Sequence, residues 1–245
     1  MEKKSFQIGF ILNLGDNFLT MIKPRILSAR SMMVKVCGIT CINQLEELNK
    51  MLVDFAGFDF RNGSSNLVVD KLNPMDLKYA NVDIKKVGVF ANQSHDFIRE
   101  TILNYGLDLV QLNGNESPEL CQSLSEEITV IKKIFLDQEQ EKHLSSFINE
   151  YDDVCDYYVL DAQIPGNRGG ITSAFDWDFL ANANIEKPFF IGGSGLKPSD
   201  AHRIHTFKHP DFLGVDLDGH FEKEKGIKDT AMVLSFMRAV NQVVN

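Results

Sequence analysis

The sequence predicts a single (β/α)8 barrel with an N-terminal extension. Three observations carry this. From Val34 onward, eight short strand-like runs alternate in order with helix-periodic segments. The strand-like runs are near-continuously apolar, as parallel strands covered by helices are, rather than alternating polar and apolar. The chain has 245 residues, close to the roughly 250 that such a barrel takes.

The elements follow in chain order. Val34–Gly38 is the first strand, and Ile42, Leu45, Leu48 and Leu52 then recur at helical spacing. Phe55–Phe60 is the second strand, followed by a polar loop and a short helix from Pro74 with Asn73 as its N-cap. Lys86–Ala91 precedes a helix capped by Ser94, and Leu107–Leu112 precedes one opened by Ser117-Pro118-Glu119. Val130–Leu136 leads to a helix marked by Leu144, Phe147, Ile148 and Tyr151. Tyr157–Leu160 ends at Asp161, and Phe175–Ala183 is the helix after it. Pro188–Ile191 runs into Gly192-Gly193-Ser194-Gly195, with Ser199 capping the next helix. Phe212–Leu217 is the eighth strand, and a helix from Asp229 to Val244 closes the chain. Parallel strands in this order need right-handed crossovers. No linker or low-complexity tract breaks residues 33–245.

Residues 1–32 form an extension of unknown role; Met32 and Met33 also allow a start codon set too early. The apolar run from Ile8 to Leu12 is too short for a signal peptide. With 25 Lys+Arg against 34 Asp+Glu, the net charge of −9 argues against nucleic acid as a partner. No apolar run approaches a membrane span. Cys37, Cys41, Cys121 and Cys155 contain no C-x-x-C pair, so no metal site is expected, and free thiols suit a cytoplasmic location.

Barrel active sites lie at the C-terminal ends of the strands. That rule selects Cys37, Asp59, Asn113, Asp161, the glycine loop 192–195 and Asp216 to His220. Position alone leaves Cys37 as either an inert buried hydrophobe or a reactive thiol. Asp161 is either a loop cap or a carboxyl set for chemistry. Together a thiol and a carboxyl can share proton transfer, one taking a proton from carbon and the other giving one to oxygen. Glycines after strand seven, before a helix start, can bring backbone N–H groups to an anion, although glycines also serve sharp turns. His202 and His205 read as a solvated helical face.

Val34-Lys35-Val36-Cys37-Gly38-Ile39-Thr40 is similar to the K-x-C-G-I-T opening of the phosphoribosylanthranilate isomerase family. The resemblance continues in order through Gly57–Phe60, Val87–Phe90, Leu109–Ser117, Val159–Ala162, Gly169-Gly170 with Phe175–Trp177, Ser194–Pro198, Gly214–Asp216 and Gly226–Asp229. It spans essentially all of residues 33–245. The resemblance implies an Amadori rearrangement in tryptophan biosynthesis that needs no cofactor, with Cys37 as general base and Asp161 as general acid. It implies a small phosphosugar substrate, and the sequence leaves open a monomer or a homodimer.

The departures fall at both ends of the substrate. The family's K-S-x-R-Y stretch aligns with Gly63–Leu67, which puts Asn66 where an arginine contacts the anthranilate end. Arg61 and Arg168, both in rim loops, are the candidate replacements, with Asn113 as a further substrate contact where the family's Q-L-H-G has histidine. The family's G-G-T/S-G-K-T-F loop is Gly169–Phe175, without one glycine and the lysine. Gly193, Ser194, Gly195 and Gly219 are the candidate phosphate contacts. The V-S-S-G-V-E run is here Leu217–Glu222, which sets the carboxylate of Asp218 near the expected phosphate, a repulsion of roughly 4 kcal/mol at an effective dielectric near 20. Three readings follow: the isomerase itself, a diverged paralogue acting on another phosphosugar, or a non-catalytic barrel with a binding role.

Overall fold

Eight parallel strands close on themselves in sequence order, β1-β2-β3-β4-β5-β6-β7-β8, with β8 paired back to β1. The computed structural model describes residues 32–136, 140–162, 176–193 and 195–241. The barrel unit begins at Met32; residues 1–31 of the expected extension lie outside the described residues.

The strands are β1 (Met33–Cys37), β2 (Phe55–Asp59), β3 (Lys85–Phe90), β4 (Leu109–Leu112), β5 (Thr129–Phe135), β6 (Tyr157–Asp161), β7 (Phe189–Gly193) and β8 (Phe212–Leu217). Between them run α1 (Ile42–Lys50), α2 (Pro74–Lys78), α3 (His95–Tyr105), α4 (Pro118–Ser125), α5 (Gln140–Tyr151), α6 (Trp177–Asn182) and α7 (Ala201–Thr206). A hairpin, β9 (Glu222–Glu224) and β10 (Ile227–Lys228), precedes the closing helix α8 (Thr230–Val240).

Several helix starts form as their residues dictate. The side chains of Ser94, Ser117, Asp176 and Asp229 each accept a hydrogen bond from a first-turn backbone N–H. Asn73 does the same for α2, with Pro74 in the first helical position. Two expectations need correction. Leu52 does not extend the apolar stripe of α1: that helix ends at Lys50, and Leu52 is exposed with positive φ. Ser199 is not an N-cap: Pro198–Asp200 is a 3-10 turn, α7 starts at Ala201, and the Asp200 carboxylate accepts from the Lys197 N–H at 2.9 Å. The hairpin β9–β10 was not foreseen, because Glu-Lys-Glu carries no apolar signal.

Side chains alternate along each strand, so one face meets the helices and the other fills the barrel. Val34, Val36, Phe58, Val110, Ile134, Tyr158, Leu160, Ile191 and Val215 form one apolar layer with helix residues such as Leu45, Leu48, Ile98, Leu124 and Val233. Burying each large apolar side chain contributes roughly 1.5–3 kcal/mol. The opposite parity points inward. Phe55 and Phe190 come from strands that are not neighbours, and their rings meet edge to face at 5.7 Å across the interior. The inward positions above this aromatic plug are polar: Lys35, Asp59, Gln111, Lys133, Asp161 and Asp216 are all buried.

Candidate active site

Cys37 is the last residue of β1 and Asp161 the last of β6. Val36 and Leu160, one position before each, belong to the outer apolar layer. The period of two therefore turns both Cys37 and Asp161 into the barrel, at the same end. Cys37 is held against β2, where its register partner is Gly57. A Cβ on Gly57 would lie 2.8 Å from the Cys37 sulfur, so the missing side chain makes room for the thiol.

The interior charges come in pairs. Lys35 Nζ donates to Asp216 Oδ1 at 2.8 Å, with both groups almost fully buried. Lys133 Nζ lies 2.5 Å from Asp161 Oδ2, and the Gly195 N–H donates to Asp161 Oδ1 at 3.0 Å. Arg61 grips Asp59 with two bonds, Nε to Oδ1 at 2.8 Å and Nη2 to Oδ2 at 2.6 Å. Burial works against the Asp59 charge, but Arg61 and the Ser64 hydroxyl outweigh it and hold the carboxyl below its ordinary range. Burial pushes the Cys37 thiol up to about 12; Lys35 opposes this, while Asp218, Asp216 and Asp59 add to it. Asp218 and Asp216 also act on Lys133. The same two carboxylates therefore act electrostatically on both the thiol and the ammonium beside Asp161.

The rim carries the departures. Asn66 is buried, and its Nδ2 donates to Glu222 Oε1 at 3.0 Å, which ties the loop after β2 to the hairpin. Lys228, fully buried, donates to Glu222 at 2.9 Å and stands 3.7 Å from Asp218 Oδ1. Asp218 thus has a cation beside it and does not turn simply to water. Arg61 lies at the rim near Cys37, and its fork is already committed to Asp59. Asn113 follows β4; its Oδ1 accepts from Gln111 Nε2 at 2.9 Å. Gly193 ends β7 with φ +76, and Gly195 is buried beside Asp161. Gly219 is exposed, and a Cβ there would meet nothing. Arg168 and Ser194 lie outside the described residues. Lys35, Lys133 and Lys228 were missed in the sequence. For Lys35 and Lys133 the available signal was a lysine inside an apolar strand, which must find a partner when buried; Lys228, in the charged hairpin, carried no such signal.

A sequence profile described as N-(5'-phosphoribosyl)anthranilate (PRA) isomerase matches residues 34–239. The chain belongs to this isomerase family. The isomerase of Parabacteroides distasonis is 33% identical over 212 residues, covering 85% of this chain and 93% of that protein. The isomerase of Phocaeicola vulgatus is 30% identical over 214 residues, covering 87% of this chain and all of that protein. The crystal structure of phosphoribosylanthranilate isomerase from Thermotoga maritima superposes with a TM-score of 0.73 at 25% identity, covering 86% of this chain and 100% of that one. A second isomerase structure, with a TM-score of 0.70, is a complex with reduced 1-(o-carboxyphenylamino)-1-deoxyribulose 5-phosphate. The activity is accordingly phosphoribosylanthranilate isomerisation, an aldose–ketose conversion in tryptophan biosynthesis. The paralogue and binding-protein readings are not favoured.

Among the described residues, no group of His, Cys, Asp and Glu is placed to hold a metal ion. No helix among them is long and apolar enough to cross a membrane.

Proposed function

We propose that Cys37 is the base and Asp161 the acid of the isomerisation. The supporting observation is that both end their strands on the inward face at one end of the barrel. Asp161 takes up a proton from solvent and gives it to the furanose ring oxygen. The C–O bond at C1′ breaks, and the nitrogen lone pair forms the C1′=N bond of an iminium ion. As the iminium ion forms, the Cys37 thiol gives up its proton to solvent; the thiolate then takes the C2′ proton, and the C–H electrons move toward the cation to give the enolamine. Tautomerisation yields the aminoketose. The order matters because the thiol is protonated at rest. The iminium charge formed next to C2′ acidifies that C–H bond and favours a thiolate beside it.

The same reading assigns the anthranilate end to Arg61, Asn113 and Arg168, and the phosphate to backbone N–H groups at Gly193, Ser194 and Gly219; the Gly195 N–H, also expected there, is taken by Asp161. What supports the phosphate end is its place after β7 and β8. The short α7 gives no helix N-terminus for it, since Asp200 already satisfies the turn there. The substrate is a small phosphosugar, the chain works as a monomer or homodimer, and the setting is the cytoplasm.

The test is steady-state kinetics on phosphoribosylanthranilate. Cys37→Ser and Asp161→Asn should each lower kcat by about 10²–10⁴-fold, with little change in KM. Turnover equal to that of the unmodified chain in either variant removes that residue from the mechanism.

A further inference from the structure

The candidate acid is held by a side chain that the motifs do not mark. Lys132 and Lys133 stand together in the middle of β5 and turn opposite ways. Lys132 turns toward the loop after β4, where its Nζ donates to Gly114 O and Glu116 Oε2, each at 2.7 Å. Lys133 turns inward and ion-pairs with Asp161. The Phe135 ring, whose backbone is the register partner of Asp161, lies under the same ammonium at 5.1 Å. The second carboxyl oxygen of Asp161 takes the Gly195 N–H. The two oxygens are thus held from opposite sides, one by β5 and one from just past β7.

Gly193 makes this arrangement possible. A Cβ at Gly193 would overlap the Asp161 carboxyl and lie 2.8 Å from Lys133 Nζ. Burial opposes the Lys133 charge, but Asp161, Asp218 and Asp216 together raise its proton affinity, so it remains an ammonium donor.

We propose that Lys133 is a positioning residue for the isomerisation, fixing the rotation of the Asp161 carboxyl so that its proton is aimed at the substrate ring oxygen. The inference rests on Asp161 being the acid. The terminal torsion of an aspartate is broad, whereas proton transfer needs the donor within hydrogen-bond reach. A misplacement of about 1 Å can cost about 10²-fold. An acid anchored on one oxygen alone could turn away; anchored on both, it cannot.

The experiment is a kinetic double-mutant cycle on phosphoribosylanthranilate, with the full chain. Lys133→Met should lower kcat by about 10–100-fold while KM stays within about threefold, and Lys133→Arg should recover part of the loss. In the Asp161→Asn background, adding Lys133→Met should change kcat by less than about twofold, because Lys133 acts only through the carboxyl. That comparison stands even if Lys133→Met alone fails to fold, since the double variant leaves no unpaired charge from the pair. Unchanged kcat in a folded Lys133→Met chain overturns the proposal. So does a further loss of about tenfold or more in the Asp161→Asn background. Full turnover in Asp161→Asn itself would instead remove the assignment of the acid, so the two failures are distinguishable.

Discussion

A thiol inside a closed barrel resists ionisation, because burial penalises the charged form before any neighbour acts. At Cys37 that penalty is the largest influence, and one lysine does not outweigh it and three carboxylates together. The folded thiol therefore titrates near 12, above its ordinary value of 9.0. A group whose folded value is raised contributes stability that is complete below the unfolded value and is lost as pH rises toward the folded one. Stability from Cys37 should accordingly hold up to about pH 9 and fade toward about pH 12. Ultraviolet thiolate absorbance of the unmodified chain minus that of Cys37→Ser should show no Cys37 thiolate at pH 8. A thiolate signal there would mean that the cavity supplies a stronger positive field than the four named side chains give. The positions of Cys37 and Asp161 were legible at this scale because each ends a strand. Their partners were not, because a buried ion pair joins residues far apart in sequence: Lys35 and Asp216 are separated by 181 positions. Asn66 likewise reads as a lost arginine in the sequence, yet in the fold it is a tie to Glu222.

Within β5 two adjacent lysines do different work, and sequence gave no means of separating them. Lys132 joins Glu116 and the Gly114 carbonyl, beside the Tyr151 ring of α5. Glu116 in turn accepts from the backbone N–H groups of Asn92 and Gly114. Lys132→Met would leave that carboxylate buried without its cation, at a cost of about 3–5 kcal/mol. Urea unfolding should show that loss, while kcat of the folded protein changes by less than about twofold. A stable Lys132→Met chain with collapsed kcat would place Lys132 in the chemistry instead. The strands themselves were legible to within a residue or two at most ends, because their apolar runs are continuous. Leu107 stands at the limit of that range, two residues before β4, and is buried beside Gly88. The hairpin β9–β10 was illegible for the opposite reason: its residues are charged, and the feature that turns it is Gly226, with φ +78.

Closure of the barrel depends on the seam between its first and last strands. Met33, Val34, Lys35 and Val36 pair with Gly214, Val215, Asp216 and Leu217. The Lys35–Asp216 ion pair crosses the same seam inside. Asp59, Asp161 and Asp216 each have a cation beside them in Arg61, Lys133 and Lys35, while Asp218 and Glu222 share Lys228, so five carboxylates meet four cations. The site is thus close to balanced in charge although the chain carries −9. The first strand begins at Met33, and the family profile begins at residue 34. A chain started at Met32 keeps the whole seam. It should retain kcat within about twofold and melt cooperatively within a few degrees of the full chain. A chain started at Gly38 loses β1, leaving β2 and β8 as unpaired edges and Asp216 without its lysine. It should show no cooperative melt, since open strand edges and an unpaired buried charge act together. Calorimetry on the two truncations decides the matter. A Met32 start that unfolds would show that residues 1–31 complete the barrel, and the boundary at residue 32 would have to be abandoned.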